Sequence, residues 1–173
     1  MSNPVDVKWF TSDMLGAPAL SGTAGALIAV LDACLVNGFG SVTLTSLTVS
    51  DGVATAIKSG HGFPDHAVVL INESTPSGLN GEKRITQIDA NTFTFDATGI
   101  SDQTATGTIT AKIAPLGFSK AYSGTNKAVY RGEDIAGNRL YLRVADEGAG
   151  AATYSRVRGY ESMSDVDTGT GPF

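Results

Sequence analysis

The sequence predicts a mainly β protein: a small barrel or sandwich module, with one helix before it and a second region of short strands after it. Three observations lead there. From Ser41 to Ile113, apolar and hydroxyl residues alternate in short runs, each bounded by Gly, Asp, Asn or Pro. Only the stretch from about Thr23 to Val36 carries apolar residues at helical spacing. Beyond Pro115, short strand-like runs return between Gly- and Asn-rich turns. The expected divisions are an arm and helix over 1–40, the β-module over 41–113, and a second β region with a turn-rich tail over 114–173.

The arm, "MSNPVDVKWFTSDMLGAPAL", is polar and irregular, with Trp9 and Phe10 as anchors. Ser21 or Thr23 is the expected cap of the helix, and Asn37-Gly38 its left-handed stop. Leu27, Leu31, Cys34 and Leu35 form its apolar stripe, while Ile28 and Val30 widen the arc past one face. Asp32 is the only charged residue between Met14 and Ser50. A helix so poor in charge packs on the chain's own sheet or on a neighbouring subunit. The expected division of labour gives Leu27, Leu31 and Leu35 to the sheet and Ile28 and Val30 to a neighbour, so Leu27, Ile28, Val30, Leu31 and Leu35 are the candidate interface residues.

In the module, "SVTLTSLTVS" and "VATAIKS" flank Asp51-Gly52, a strong hairpin signal. "HAVVLIN" reads as a buried strand, "LNGEKRITQI" and "TFTFDA" as a hairpin closed by Asp89-Ala90-Asn91, and "TATGTITAKI" as a last alternating strand. Phe93 and Phe95, two apart, are expected on the core face. Further on, "AVYR", "RLYLRVAD" and "TYSRVRGYES" supply three more strands.

Composition narrows the function classes. The 173 residues carry a net charge of −5 and only 17% charged side chains, so nothing marks a nucleic-acid or anionic-membrane partner. Eight of the twelve basic residues and all five tyrosines do fall at or beyond Lys112, but the acids there leave 112–173 only one charge positive. One cysteine, Cys34, excludes an intrachain disulfide and a cysteine-based zinc site. With no long apolar run, a soluble protein assembled in a cytoplasm is expected.

Both histidines lie in "SGHGFPDHAVVLI", with Asp65 between them. A metal needs converging ligands. The spacing of His61 and His66 puts them on opposite faces of a strand, and Pro64 forbids a continuous helix. The expectation is therefore a turn that delivers Phe63 to the core, with no metal and no cofactor. Near the C-terminus, Asp167-Thr168-Gly169 has the tripeptide of aspartic proteases without the apolar strand before it. "DVDTGTG" has half of a calcium loop without the closing glutamate. No nucleophile sits in a recognisable catalytic setting, and the chain is not expected to be an enzyme.

Gly60-His61-Gly62-Phe63, Leu79-Asn80-Gly81 and Asn91-Thr92-Phe93 together resemble the small β-domain that recurs in structural proteins of tailed bacteriophages, similar in fold to the first catalytic cysteine half-domain of ubiquitin-activating enzymes. The resemblance covers 42–113, and no residue here stands where a catalytic cysteine would. The flanks, "SGTAGALIAVLDACLVNGFG" and "SGTNKAVYR" onward, resemble an uncharacterised family encoded among virion genes, whose members run on past the position of Phe173. The resemblance implies a virion structural protein, tail-, neck- or baseplate-associated or capsid-decorating, with other virion proteins and further copies of itself as partners. The alternative is a module that binds a host-surface glycan, for which Trp9, Tyr122 and Tyr154 are the candidate platforms.

Overall fold

The computed structural model describes residues 5–133, 137, 139–148 and 154–173. The chain divides into two units, the first built from Met1–Ala17 and Gly38–Ala114, the second from Pro18–Asn37 and Pro115–Phe173. The arm and the helix, expected as one N-terminal segment, are therefore parted. The arm belongs with the β-module and the helix with the C-terminal strands.

The first unit holds β1 (Phe39–Thr43), β2 (Ser46–Ser50), β3 (Val53–Ile57), β4 (Val68–Asn72), β5 (Gly81–Arg84), β6 (Thr86–Gln87), β7 (Thr92–Asp96), β8 (Gln103–Thr104) and β9 (Thr110–Ile113). They form two sheets, ordered β1-β9-β4-β5 and β6-β7-β3-β2-β8. The outcome is sandwich-like rather than a closed barrel. Asp51 and Gly52, both at positive φ, make the expected β2–β3 hairpin turn. Strand alternation sends Leu47, Val49, Ala54, Ala56, Phe93 and Phe95 inward, all buried. Register sets small against large, with Ala56 between Leu47 and Phe93 and Ala54 between Val49 and Phe95, so the rings fill the space the alanines leave. The apolar run at β4 lies between β9 and β5, with Val68, Val69 and Ile71 buried.

The expected hairpin from "LNGEKRITQI" to "TFTFDA" is only half formed. Thr86 and Gln87 pair with β7, but Gly81–Arg84 pairs with β4 in the other sheet. Ile85, 1% exposed, sits at the crossing, and its amide donates to the Ala67 carbonyl. Burying that side chain turns the strand from one sheet into the next.

The second unit is an antiparallel meander of β10 (Phe118–Gly124), β11 (Lys127–Gly132), β12 (Tyr141–Ala145), β13 (Arg156–Met163) and β14 (Gly169–Pro172), paired in that order. One face carries α1 (Ala26–Leu31), which continues as a π-helical turn over Asp32–Asn37. The core joins Ile28 and Leu35 to Ala128, Tyr130 and Val144, with Leu27, Leu31, Val36, Phe118 and Leu142 packed at its margin.

Here the expected orientation of the helix is corrected. Ile28, assigned to a neighbouring subunit, is buried on the sheet with Leu35. Leu27 and Leu31 are only half buried beside them, and Val30 lies outside this cluster. Asp32 explains the rotation. Its carboxylate accepts from the Tyr130 hydroxyl at 2.8 Å and from Lys120 Nζ at 2.8 Å, so the lone charge must face the sheet. Ile28 and Leu35, one turn before and one turn after, come with it.

The cap is corrected as well. Neither Ser21 nor Thr23 caps the helix. Gly25 holds the N-cap at φ 87° with no side chain to offer, and the Asp146 carboxylate accepts the Leu27 amide at 2.8 Å from the end of β12. Two strands, β10 and β14, went unread in a loop and a tail. No helix among the described residues is long and apolar enough to cross a membrane.

Candidate functional site

The outer face of the β6-β7-β3-β2-β8 sheet has the most regular surface chemistry among the described residues. Residues alternating with the buried set point outward, and the register aligns Thr104, Thr48, Thr55, Thr94 and Thr86 in one row across β8, β2, β3, β7 and β6. Neighbouring strands lie about 4.8 Å apart, so the row is a ladder of hydroxyls at that repeat. Ser46, Ile57 and Thr92 flank it on one side, Ser50, Val53 and Asp96 on the other. Asp96 is the only charged side chain among these positions. β-Branched residues suit a pleated, half-open surface, which is why so many threonines coexist with stable strands.

Beside this face opens a groove of about 670 Å³, lined by Val53, Thr86, Thr94 and Asp96 on the sheet side and by His66, Lys83 and Arg84 opposite. Its charged groups are tied to their own surroundings. Arg84 donates to the carbonyls of His66 and Val7, and Lys83 Nζ donates to the Gly78 carbonyl at 3.1 Å and lies 5.8 Å from the Phe95 ring. The Thr98 hydroxyl, then its amide, hold the Asp96 carboxyl below the usual aspartate range. The chemistry on offer is shape, hydroxyls and fixed charge.

The histidine pair does not converge. His61 is fully buried. Its Nδ1 accepts the Phe63 amide at 3.0 Å, and Nε2–H donates to the Asp89 carbonyl at 3.1 Å. Its ring packs with Phe63 and Phe93 at centroid distances of 5.5 and 5.2 Å. His66 is exposed, 3.3 Å from Asp65, and no group of three or more metal-ligating side chains occurs among the described residues. The turn does deliver Phe63 to the core, but His61 goes in with it. Two of the resembling segments are thereby brought together, because Asn91 Oδ1 also accepts the Gly60 amide at 3.0 Å. Gly62, at φ 66°, lies so close to Leu15 that an added Cβ would meet the Leu15 Cβ at 2.7 Å. In the third segment Gly81 takes positive φ but Asn80 does not. The Asn80 amide instead clamps both backbone groups of Ser74, at 2.8 and 2.9 Å.

The tail motifs also resolve into structure. Asp167 pairs with Lys127 at 2.8 Å and Arg143 at 2.5 Å, and these two cations, lysine first, hold its carboxyl below the usual range. A protease dyad needs a carboxyl that shares a proton with a second carboxyl; this one is paired with two cations instead. Asp165 Oδ1 accepts the amides of Asp167 and Thr168 at 2.7 and 2.8 Å, which turns the half calcium loop into a clamp over the sheet. Burial pushes the Cys34 thiol up, away from thiolate chemistry. Burial raises the Tyr130 hydroxyl far above the ordinary phenol range, and Asp32 adds to the effect. Of the candidate glycan platforms, Trp9 and Tyr154 are exposed at 39% and 63%. Tyr122 is half buried, stacked on Tyr141 and hydrogen-bonded to the Met163 carbonyl.

The threonine row was not foreseen. "TFTF" and "TSLT" show hydroxyls at strand spacing, but only the pairing register lines them up. No family model, no curated protein and no solved structure matches this chain.

Proposed function

We propose that the protein is a non-enzymatic structural subunit of a tailed-phage particle, acting through contacts between subunits. One observation carries the contact part of this reading. A five-stranded face is presented with a row of threonines in register and one charged side chain among its outward positions. Such a face is cheap to desolvate against another protein surface and costly to desolvate once charged. The phage part rests on the resemblance of Gly60–Phe63, Leu79–Gly81 and Asn91–Phe93. Their local roles, a buried His61–Phe63 turn, a clamped loop and a Phe93 core anchor, are mechanical and suit a rigid spacer.

Antibody labelling of intact particles under the electron microscope tests the reading. Label at a repeated position is expected, and particles without the protein would overturn it. The double variant Thr48→Lys, Thr94→Lys is expected to fold, since both side chains point away from the core, and to enter particles roughly tenfold less well, because buried ammonium groups without partners are strongly disfavoured. Normal incorporation would move the contact elsewhere.

A further inference from the structure

The second unit has a face that the helix does not cover and that the 164–168 loop covers only over Lys127 and Arg143. Cross-strand pairs Arg131 with Tyr141 and Tyr141 with Tyr160, Val129 with Arg143 and Arg143 with Arg158, Lys127 with Ala145 and Ala145 with Arg156. Paired residues share a face, so Lys127, Arg131, Arg143, Arg156 and Arg158 all project from the side opposite Tyr130. Asp167 occupies Lys127 and Arg143. Arg131, Arg156 and Arg158 have no carboxylate partner among the described residues. Arg131 and Arg156 are laid over the Tyr141 and Tyr154 rings at 5.0 Å, and Arg131 Nε also donates to the Arg139 carbonyl at 3.2 Å, which holds the guanidinium groups in place. Arg158 stands directly opposite Arg143, whose charge Asp167 already meets, so Arg158 is the exposed cation of that pair.

The complementary surface is in the first unit. Asp51 in the β2–β3 turn, Asp96 at the end of β7 and Asp102 just before β8 are all exposed. They gather at one end of the sheet. Asp96 pairs with Val53, beside the turn, and Asp102 Oδ1 accepts the Asp51 amide at 2.9 Å. None of the three has an ion-pair partner among the described residues, and the Lys83 ammonium near Asp96 is hydrogen-bonded to the Gly78 carbonyl. By composition the first unit carries nine acids against five bases, the second eight against seven. Arg131 and Arg158 lie two strands apart, roughly 10 Å across the sheet.

We propose that the arginine–tyrosine face of the second unit docks on the Asp51–Asp96–Asp102 end of the first unit in another copy of this chain. The contact is heterologous, so it propagates from copy to copy unless its rotation closes a ring. The proposal deepens the subunit reading and rests on it, but does not depend on which particle is built.

Sedimentation of the full chain decides it. At about 100 μM, where micromolar contacts are populated, the parent is expected to associate, and roughly tenfold less tightly as salt rises to a few hundred millimolar. Arg131→Gln with Arg158→Gln, and separately Asp51→Asn with Asp102→Asn, are each expected to be monomeric with unchanged circular dichroism. Mixed together, the two variants retain one intact joint and should form a 1:1 pair that grows no further. A monomeric parent, an inert mixture, or association lost in only one of the two variants would each overturn the contact. A monomeric parent whose label still appears in particles would remove this contact alone; an associating parent missing from particles would remove the phage reading alone.

Discussion

The two units solve the same problem, covering the faces of short-stranded sheets, with different materials. The first sets sheet on sheet, and its interior is largely apolar: Leu47, Ile71, Leu79, Phe63 and Phe93 are all buried, with the His61 ring among them. The second has a single sheet and covers it with a short helix on one side and the 164–168 loop on the other. Each cover is fastened by a carboxylate. Asp32 ties the helix to Tyr130 and Lys120, Asp146 caps its first turn, and Asp167 pins the loop through Lys127 and Arg143. The lesson is that a second sheet gives cohesion from apolar area alone, whereas a six-residue helix buries too little and is positioned by directed polar bonds.

That contrast can be broken. The largest effect is expected from Phe93→Ala, which removes a fully buried ring packed on His61 and Phe63. A loss of about 3–5 kcal/mol is a large share of a small unit's stability. Hydrogen exchange should show 38–114 opening while 115–173 keeps its protection. If both open together, the units are one cooperative body.

Asp146→Ala should do the reverse. It strips the acceptor from the Leu27 amide and the Ser155 hydroxyl, at 2.8 and 2.5 Å, and is expected to cost about 1–3 kcal/mol, read as faster exchange in 26–37 and 141–163. His61→Asn tests the buried ring. With both ring nitrogens and the ring faces engaged, a loss of about 2 kcal/mol in melting experiments is expected. His66→Asn, at an exposed position, should change almost nothing; equal effects would return His61 to the surface.

Acid sharpens the comparison further. The Ser155 hydroxyl first, and then the Leu27 and Gly148 amides, lower the Asp146 carboxyl below its ordinary value of 3.8. A depressed folded value means stability that is complete above the unfolded value and lost as pH falls through the folded one. The second unit is therefore expected to lose protection below about pH 4. In the first unit the lowered carboxyls, Asp13 and Asp96, are exposed and held mainly by neighbouring threonine hydroxyls, so its exchange pattern should persist to lower pH. Circular dichroism and exchange across a pH series check the order. A small effect is expected from Asp167→Asn, because an exposed pair is screened by salt; it should loosen 164–168 alone.

The same contrast governs how much was legible in the sequence. In the first unit several cues are local. Asp51-Gly52 names its own turn, "AVVLI" its own buried strand, and Phe93 and Phe95 declare one face by being two apart. In the second unit the decisive partners lie far apart in sequence. Nothing near Leu27 announces that Asp146 will cap it, and nothing around Asp32 names Tyr130, so the helix phase was misjudged and Ile28 sent outward. β14, "GTGP", has glycine and proline where strand propensity would look for branched residues, and it exists because β13 offers an edge to pair with. The sequence marks His61 only as a turn residue, because its burial depends on the distant Asp89 carbonyl. The threonine row required the register of β8-β2-β3-β7-β6, which no single strand contains.

The helix at 26–37 and the sheet it packs on are separated in the chain by 38–114, the greater part of the other unit. During synthesis, at about 5–20 residues per second, the helix therefore emerges several seconds before its sheet exists. Over that interval its apolar side has nothing of its own to cover. The excursion is closed at both ends, by the pairing of Phe39 with Ile113 in one unit and by the Leu116 amide on the Cys34 carbonyl at 2.9 Å in the other. Folding of 38–114 thus shortens the loop that the late strands must close to reach the waiting helix. The order of the chain therefore predicts an order of assembly, in which 38–114 can mature before 115–173 has been made.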